Sequence, residues 1–171
     1  VKFTLIDKIL SIEDNKKIRA LKNLSLSEEY LMDHFPGNPV MPGVLMLEAM
    51  VQTGGWLIRA IKDFRVSIVT LREAKNVKYA HFITPGDQLT VSMELLEMDD
   101  RSARFKGTGY LHDKPIVSGR LTLEFFNLTR YDALLDKNDA VIQAAAREKF
   151  RVLCAGVGAH DAAAQSGGGP R

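Results

Sequence analysis

His34 is the residue of this chain best suited to moving a proton. It opens the run His34-Phe35-Pro36-Gly37-Asn38-Pro39-Val40-Met41-Pro42-Gly43, in which three of the chain's six prolines stiffen the main chain around one imidazole. Fourteen residues later comes Glu48, within Val44-Leu45-Met46-Leu47-Glu48-Ala49-Met50-Val51-Gln52, where it and Gln52 are the only polar side chains. An imidazole titrates near neutral pH, and a carboxylate in an apolar helix is costly unless something compensates it. Together they can take one proton and supply or hold another, which is general acid-base chemistry. Each also has a plain reading: a histidine beside a phenylalanine is usually structural, and a buried glutamate can be satisfied by main-chain groups.

These side chains need a rigid carrier. Pro42 suits the first position of a helix because its missing N-H would be unpaired there, and the apolar run predicts a helix from about residue 42 to about residue 62. At ~1.5 Å per residue it is roughly 30 Å long, enough to form the spine of a small domain. Gln52 lies one turn beyond Glu48 on the same face and can hold it, or a water, through its amide. Gly43 at the helix start exposes an N-H that has no intrahelical acceptor, a donor suited to developing negative charge. Gly54 and Gly55 weaken a helix and predict close approach of another backbone.

Around this helix the pattern is that of strands. Residues 3–12 and 16–25 are apolar and β-branched, with Glu13-Asp14-Asn15 as the turn between them, and a helical turn is expected near residues 28–32. Further runs fall at Val66 to Leu71, Val77 to Ile83, Leu89 to Met98, Ala103 to Leu111 and Ile116 to Phe126. In Leu89-Thr90-Val91-Ser92-Met93 and Val117-Ser118-Gly119-Arg120-Leu121 alternate residues are apolar, so one sheet face can cover the helix. The fold class is α+β: one long central helix wrapped by a curved antiparallel sheet. Residues 132–153 form an amphipathic helix with Leu134, Leu135, Val141, Ile142, Ala145 and Leu153 as its apolar stripe. The expected division is a domain over 1–127, a C-terminal helix over 128–154, read as a surface helix or else a partner-binding one, and a disordered tail over 155–171.

Composition bounds the alternatives. The 171 residues suffice for one core, and 23 basic against 21 acidic side chains give no global reason to expect nucleic acid or anionic lipid as partner. A locally basic stretch, Arg59, Lys62, Arg65, Arg72, Lys75 and Lys78, suits an acidic partner or is simply solvated surface. The single cysteine, Cys154, excludes an intrachain disulfide and fits a cytoplasmic protein. Asp7 and Lys8 interrupt the first apolar residues, so no secretory signal is expected. Glu48, Gln52, Arg59 and the glycine pair argue against a membrane span. His81, His112 and His160 lack metal-ligand spacing, so no metal site and no cofactor are expected.

The stretch HFPGNPVMPGVLMLEAMVQ resembles the signature of the β-hydroxyacyl-acyl carrier protein dehydratases of fatty-acid synthesis, members of the hotdog-fold superfamily. FTLIDKIL, KKIRALKNLS, FITPGDQLTVSMELL and ARFKGTGY resemble the family's strands, so the likeness covers roughly residues 3 to 126; around Val77–Phe82 only part of the family's pattern is kept. The resemblance implies a catalytic role for His34 and Glu48, an oxyanion-binding N-H at Gly43, an auxiliary role for Gln52, and no cofactor. Glutamate at position 48 resembles the general dehydratase branch, where the dehydratase-isomerase branch has aspartate. Phe35, Val44 and Met41 are candidate walls of an acyl tunnel, as are Met46, Met50 and Trp56, although such residues can equally fill a core.

The implied reaction removes water from a (3R)-3-hydroxyacyl thioester, giving a trans-2-enoyl thioester, on an acyl chain carried by the phosphopantetheine arm of acyl carrier protein. His34 takes the proton at C2. Glu48 either donates a proton to the leaving hydroxyl, favoured by its apolar neighbours, or stays ionised and positions the hydroxyl, favoured by the helix dipole; the residues leave both open. The resemblance further implies a homodimer, assembled in some members as trimers of dimers, with His34 and Glu48 of one site drawn from different subunits. The competing readings are a hotdog thioesterase or coenzyme A hydratase, and a carrier-binding subunit without turnover.

Overall fold

The computed structural model describes residues 3–155. Its spine is the helix α1 (Gly43–Ile61). Two short strands, β1 (Lys8–Glu13) and β2 (Lys17–Asn23), precede it, and β3 (Ile68–Tyr79), β4 (Gln88–Met98), β5 (Ser102–Leu111) and β6 (Lys114–Phe126) follow. All pair antiparallel in one sheet of order β1-β2-β4-β5-β6-β3, which wraps α1 as a hotdog fold. The alternating residues Leu89, Val91 and Met93 of β4, Phe105 of β5, and Leu121, Leu123 and Phe125 of β6 are buried against Ala49, Met50, Leu57 and Ile58 of α1. The length and apolarity of α1 would suffice to cross a membrane, but here it is the core helix of the sheet.

The glycines mark where sheet and helix approach. A Cβ on Gly54 would lie 3.0 Å from Leu123 Cδ1, and one on Gly107 of β5 would lie 2.3 Å from Met50 Cε and 2.6 Å from Met93 Sδ. The expected close approach at Gly54 is real, but side chains of the sheet fill the space, not a second backbone. Gly55 lies under Arg59 and Val69 in the same way.

Three expectations need correction. The runs at Val66–Leu71 and Val77–Ile83 are not two strands: β3 continues through the charged Arg72–Asn76 segment and ends at Tyr79. As an edge strand paired only with β6, it leaves those side chains exposed, so charge there costs little and also blunts the edge. The first strand starts at Lys8 and not at residue 3, because residues 3–5 bond to a side chain of α1.

The third correction concerns the C-terminal segment. Helix α2 (Asp136–Leu153) begins after two short 3-10 turns and is packed, not merely laid on the surface. Its inner stripe is Asp139, Ala146, Phe150 and Leu153; Leu134 and Val141 of the expected stripe are 86% and 69% exposed. Phe150 lies 5.1 Å from the Phe64 ring and 6.0 Å from that of Trp56, and Arg147 stacks on Phe64 while donating to the Asp63 carbonyl. Asp139 anchors the other end, accepting from Ser67 Oγ and from the N-H groups of Leu128 (2.8 Å) and Thr129 (3.0 Å). Of the tail expected over 155–171, all but Ala155 lies outside the described residues.

Burial opposes ionisation of Asp139, but the bonds from Ser67, Thr129 and Leu128 outweigh it and hold the carboxyl below the usual aspartate range. The stabilisation from this depressed value is therefore complete above ~3.9, the unfolded value, and is lost as pH falls through the lower folded one. Asp139→Asn is expected to melt at lower temperature at pH 7 and to show a weaker fall in stability between about pH 4 and pH 2 than the parent. Trp56 fluorescence reports the transition, and an unchanged acid dependence would show that the anchor contributes nothing.

Candidate active site

The loop leading into α1 presents His34. Within it Val40 N-H donates to the His34 carbonyl (2.9 Å), Asn38 N-H to that of Phe35 (2.9 Å), and Met41 N-H to the Ile83 carbonyl (2.9 Å), which ties the loop to the segment between β3 and β4. Upstream, the buried Lys22 ammonium bridges Glu28 at 2.6 Å and Asp7 at 3.6 Å, holding the approach to the loop against β2. The peptide between His34 and Phe35 is cis, and the two rings stack 4.2 Å apart.

His34 Nδ1 lies 3.0 Å from the Val40 carbonyl oxygen. A carbonyl only accepts, so Nδ1 must carry the hydrogen, and the neutral ring therefore keeps its lone pair on Nε2. That nitrogen is free to take a proton. The same contact fixes the direction of the ring, which a loop residue would otherwise sample freely.

Glu48 sits half-buried in the second turn of α1, and its Oε1 accepts from Gln52 Nε2 at 3.0 Å. Oε2 has no hydrogen-bond partner among the described residues. No hydrogen bond joins His34 to Glu48 within the chain; the two are brought to the same helix's approach and first turns but not into contact by any bond described.

Pro42 caps the helix, its carbonyl accepting from Leu45 and Met46, and the N-H groups of Gly43 and Val44 find no acceptor among the described residues. Gly43 is constrained on its other side. A Cβ there would lie 3.1 Å from Tyr79 Cε1, so the absent side chain makes room for the Tyr79 ring at the end of β3. Tyr79 is 48% exposed, and partial burial pushes its phenol above the ordinary value. Sequence reasoning missed Tyr79 because contact between β3 and the helix start is set by the sheet's curvature, not by local spacing.

The candidate tunnel residues separate. Met41 is 1% exposed and belongs to the core of the single chain, as do Met46, Met50 and Trp56. Phe35 and Val44 face outward, at 53% and 68% exposure; Phe35 lines a groove of about 340 Å³ with Leu26, Leu31 and Met32. A hollow of about 430 Å³ lies over Phe3, Asp7, Lys22 and Glu28, and neither His34 nor Glu48 lines it. Nor do the six basic residues make one patch: Arg59 turns inward to the Ser67 carbonyl and Trp56, with burial lowering its pKa, and Lys62 lies over Phe125. No cluster of metal-ligating side chains occurs among the described residues.

Residues 1–125 match the model of the FabA-like domain. The chain belongs to that family. It is 35% identical over 119 residues to the 3-hydroxyacyl-[acyl-carrier-protein] dehydratase FabZ of Caldicellulosiruptor saccharolyticus, covering 70% of this chain and 85% of that protein. Against the enzyme of the same name from Oceanobacillus iheyensis it is 38% identical over 120 residues, covering 70% and 86%. Among solved structures, the dehydratase heterocomplex ApeI:P of Xenorhabdus doucetiae shares the fold with a TM-score of 0.66 at 21% identity, covering 78% of this chain and 90% of that one. The match to the FabA-like family ends before α2, so α2 lies beyond the shared unit.

The tight contact at the helix start can be tested directly. Gly43→Val is expected to displace the Tyr79 ring and lower stability by about 1–3 kcal/mol, as overpacking does. Because the obstacle is a single half-exposed ring, adding Tyr79→Ala should recover part of the loss, with a coupling of about 0.5–3 kcal/mol in a double-mutant cycle read by chemical denaturation. Strict additivity would show that the two residues do not touch.

Proposed function

We propose that this chain is a 3-hydroxyacyl-acyl carrier protein dehydratase, a hydro-lyase of fatty-acid synthesis, with His34 as base and Glu48 as the group that receives the departing hydroxyl. Membership of the FabA-like family, with FabZ enzymes as relatives, supports the reaction class. The observation that carries the roles is the His34 contact to Val40, which leaves Nε2 bare.

Nε2 removes the proton at C2 of the acyl chain, and the electron pair moves toward the thioester carbonyl. The developing oxyanion is met by the Gly43 N-H at the positive end of α1, where a preorganised main-chain donor costs no reorganisation. The C2–C3 double bond forms as the C3–O bond breaks, and the hydroxyl leaves as water on taking one proton, either from a protonated Glu48 or from His34 Nε2, which holds the C2 proton, while an ionised Glu48 positions the hydroxyl. Acyl carrier protein with its phosphopantetheine-linked chain is the partner, and the outward-facing Phe35 and Val44 lie where an acyl chain can contact them. The catalytic unit is residues 1–127, with the segment 128–154, two 3-10 turns and α2, folded back on it. Cys154, a free thiol, fits operation in the cytoplasm.

His34 and Glu48 are not bonded within one chain, which supports a site completed by a second copy, in a homodimer or a trimer of such dimers. Hydration of an enoyl thioester, the reverse reaction, tests the assignment: His34→Ala and Glu48→Gln should each lose about 10²–10⁴-fold in kcat. Wild-type inactivity on both carrier-linked and coenzyme A substrates would sink the dehydratase reading, and release of free acid would indicate a thioesterase.

Subunit sharing has its own signature. If each site takes His34 from one subunit and Glu48 from the other, refolding the two inactive variants together yields hybrid dimers with one intact site. Random pairing then restores about a quarter of wild-type activity. If both residues come from one chain, every site in the mixture carries one lesion and no activity returns.

A further inference from the structure

Tyr79 ends β3 with its ring laid along the start of α1. Its Cε1, Cδ1 and Cζ lie 3.1, 3.2 and 3.4 Å from where a Gly43 Cβ would stand, and Cζ is the atom that carries the hydroxyl. A bulge puts the ring there. Lys75 pairs with the exposed Arg120, whereas Lys78 and Tyr79 pair with Ser118 and the buried Val117, so β3 gains one residue on β6 between Lys75 and Lys78. Residues four apart in a regular strand share a face, yet Lys75 faces outward and Tyr79 inward, toward the helix. Past the bulge the main chain is fixed again, with Ala80 N-H donating to the Ile116 carbonyl at 2.7 Å. Packing against Gly43 accounts for the ring but not for its hydroxyl, which has no hydrogen-bond partner among the described residues. A phenylalanine would make the same contact.

We propose that Tyr79 is a further catalytic residue: its hydroxyl is a second oxyanion donor, hydrogen-bonding to the thioester oxygen that the Gly43 N-H also meets. This rests on the function proposed above and goes further, because it adds a side-chain donor on β3 to the main-chain donor at the helix start. Removal of the C2 proton leaves an enolate whose charge gathers on that oxygen. Two donors fixed before the substrate arrives, one by the helix and one by the sheet, stabilise it without reorganisation. A phenol donates only while it keeps its proton, and partial burial raises that of Tyr79 above the ordinary value, so it remains a donor throughout the neutral range. The residue is also half-exposed, which leaves it open to a substrate entering at the start of α1.

Tyr79→Phe separates packing from donation, because it keeps the ring against Gly43 and removes only the hydroxyl. It should melt with the wild type and lower kcat for enoyl-thioester hydration at least about tenfold, against about 10²–10³-fold for a fully enclosed oxyanion donor, with KM within about twofold. Wild-type kcat in this variant overturns the proposal. A probe independent of turnover is the enolate of a 3-oxoacyl thioester, which carries the same charged oxygen and is followed by its ultraviolet absorbance. The wild type should bind it at least about tenfold more tightly than Tyr79→Phe, while the two bind the uncharged saturated acyl thioester equally. Equal affinity for the enolate overturns the proposal, and so does an equal loss on both thioesters, which would mark a structural role. If the wild type is inactive on carrier-linked and coenzyme A substrates, the dehydratase reading fails while the enolate titration still decides whether Tyr79 donates at this site.

Discussion

An almost wholly apolar helix wrapped by a sheet can leave only one line along its surface for polar side chains, and the polar groups on that line must find partners without water. In α1 the line is Glu48, Gln52 and Arg59, spaced by four and seven residues on one face. Strands β2, β4, β5 and β6 cover the other sides, approaching closest at Gly54 and Gly107, where any side chain would strike Leu123 or the methionine ends. The polar line instead meets residues 3–5 and the turn into β3, which lie outside the sheet's pairing. Those segments satisfy it with main-chain groups, Leu5 N-H and the Phe3 carbonyl at Gln52, and the Ser67 carbonyl at Arg59. Burying a polar side chain without such partners costs more than the bond itself returns, so the path of the flanking segments follows from the helix.

The same wrapping exposes the start of α1. Pro42 ends the rigid loop and begins the helix, so a single stretch of main chain sets both the direction of the His34 ring and the position of the unpaired Gly43 N-H. The His34 ring and the Gly43 N-H are thus fixed relative to each other by the eight residues between them, which the Met41 bond to Ile83 ties to the segment between β3 and β4. Positioning of this kind is where much of the advantage of an active site originates. Glu48 is held by a different segment, through Gln52, and shares no hydrogen bond with His34.

What was readable in the sequence follows the range of the interactions. The helix, the alternating strands and the His34 and Glu48 positions are legible because proline spacing and apolar periodicity are local. The continuity of β3 through Arg72–Asn76 was not, because an exposed edge strand has no apolar alternation to display. The inner stripe of α2 was misread for a related reason: Asp139 lies on it, and a buried aspartate looks like a solvent-facing one until Ser67, Leu128 and Thr129 are seen to surround it. Tyr79 against Gly43, and residues 3–5 on Gln52, depend on contacts between distant segments that no local pattern encodes.

Helix α2 carries this logic past the family unit. Arg59 is the last polar residue on the line, and its neighbour Trp56 would be partly open to solvent if the chain stopped at β6. Phe150 closes that gap against Trp56 and Phe64, while Arg147 covers the outer face of Phe64. At its other end α2 is tied through Asp139 to Ser67, whose carbonyl is the one Arg59 uses. The anchor of α2 and the satisfaction of the α1 polar line thus meet at a single residue, and Lys149 reaches Thr4, inside the segment that holds Gln52. Gln52 is held by the main chain of residues 3 and 5, so α2 and α1 both contact the one short segment that precedes β1.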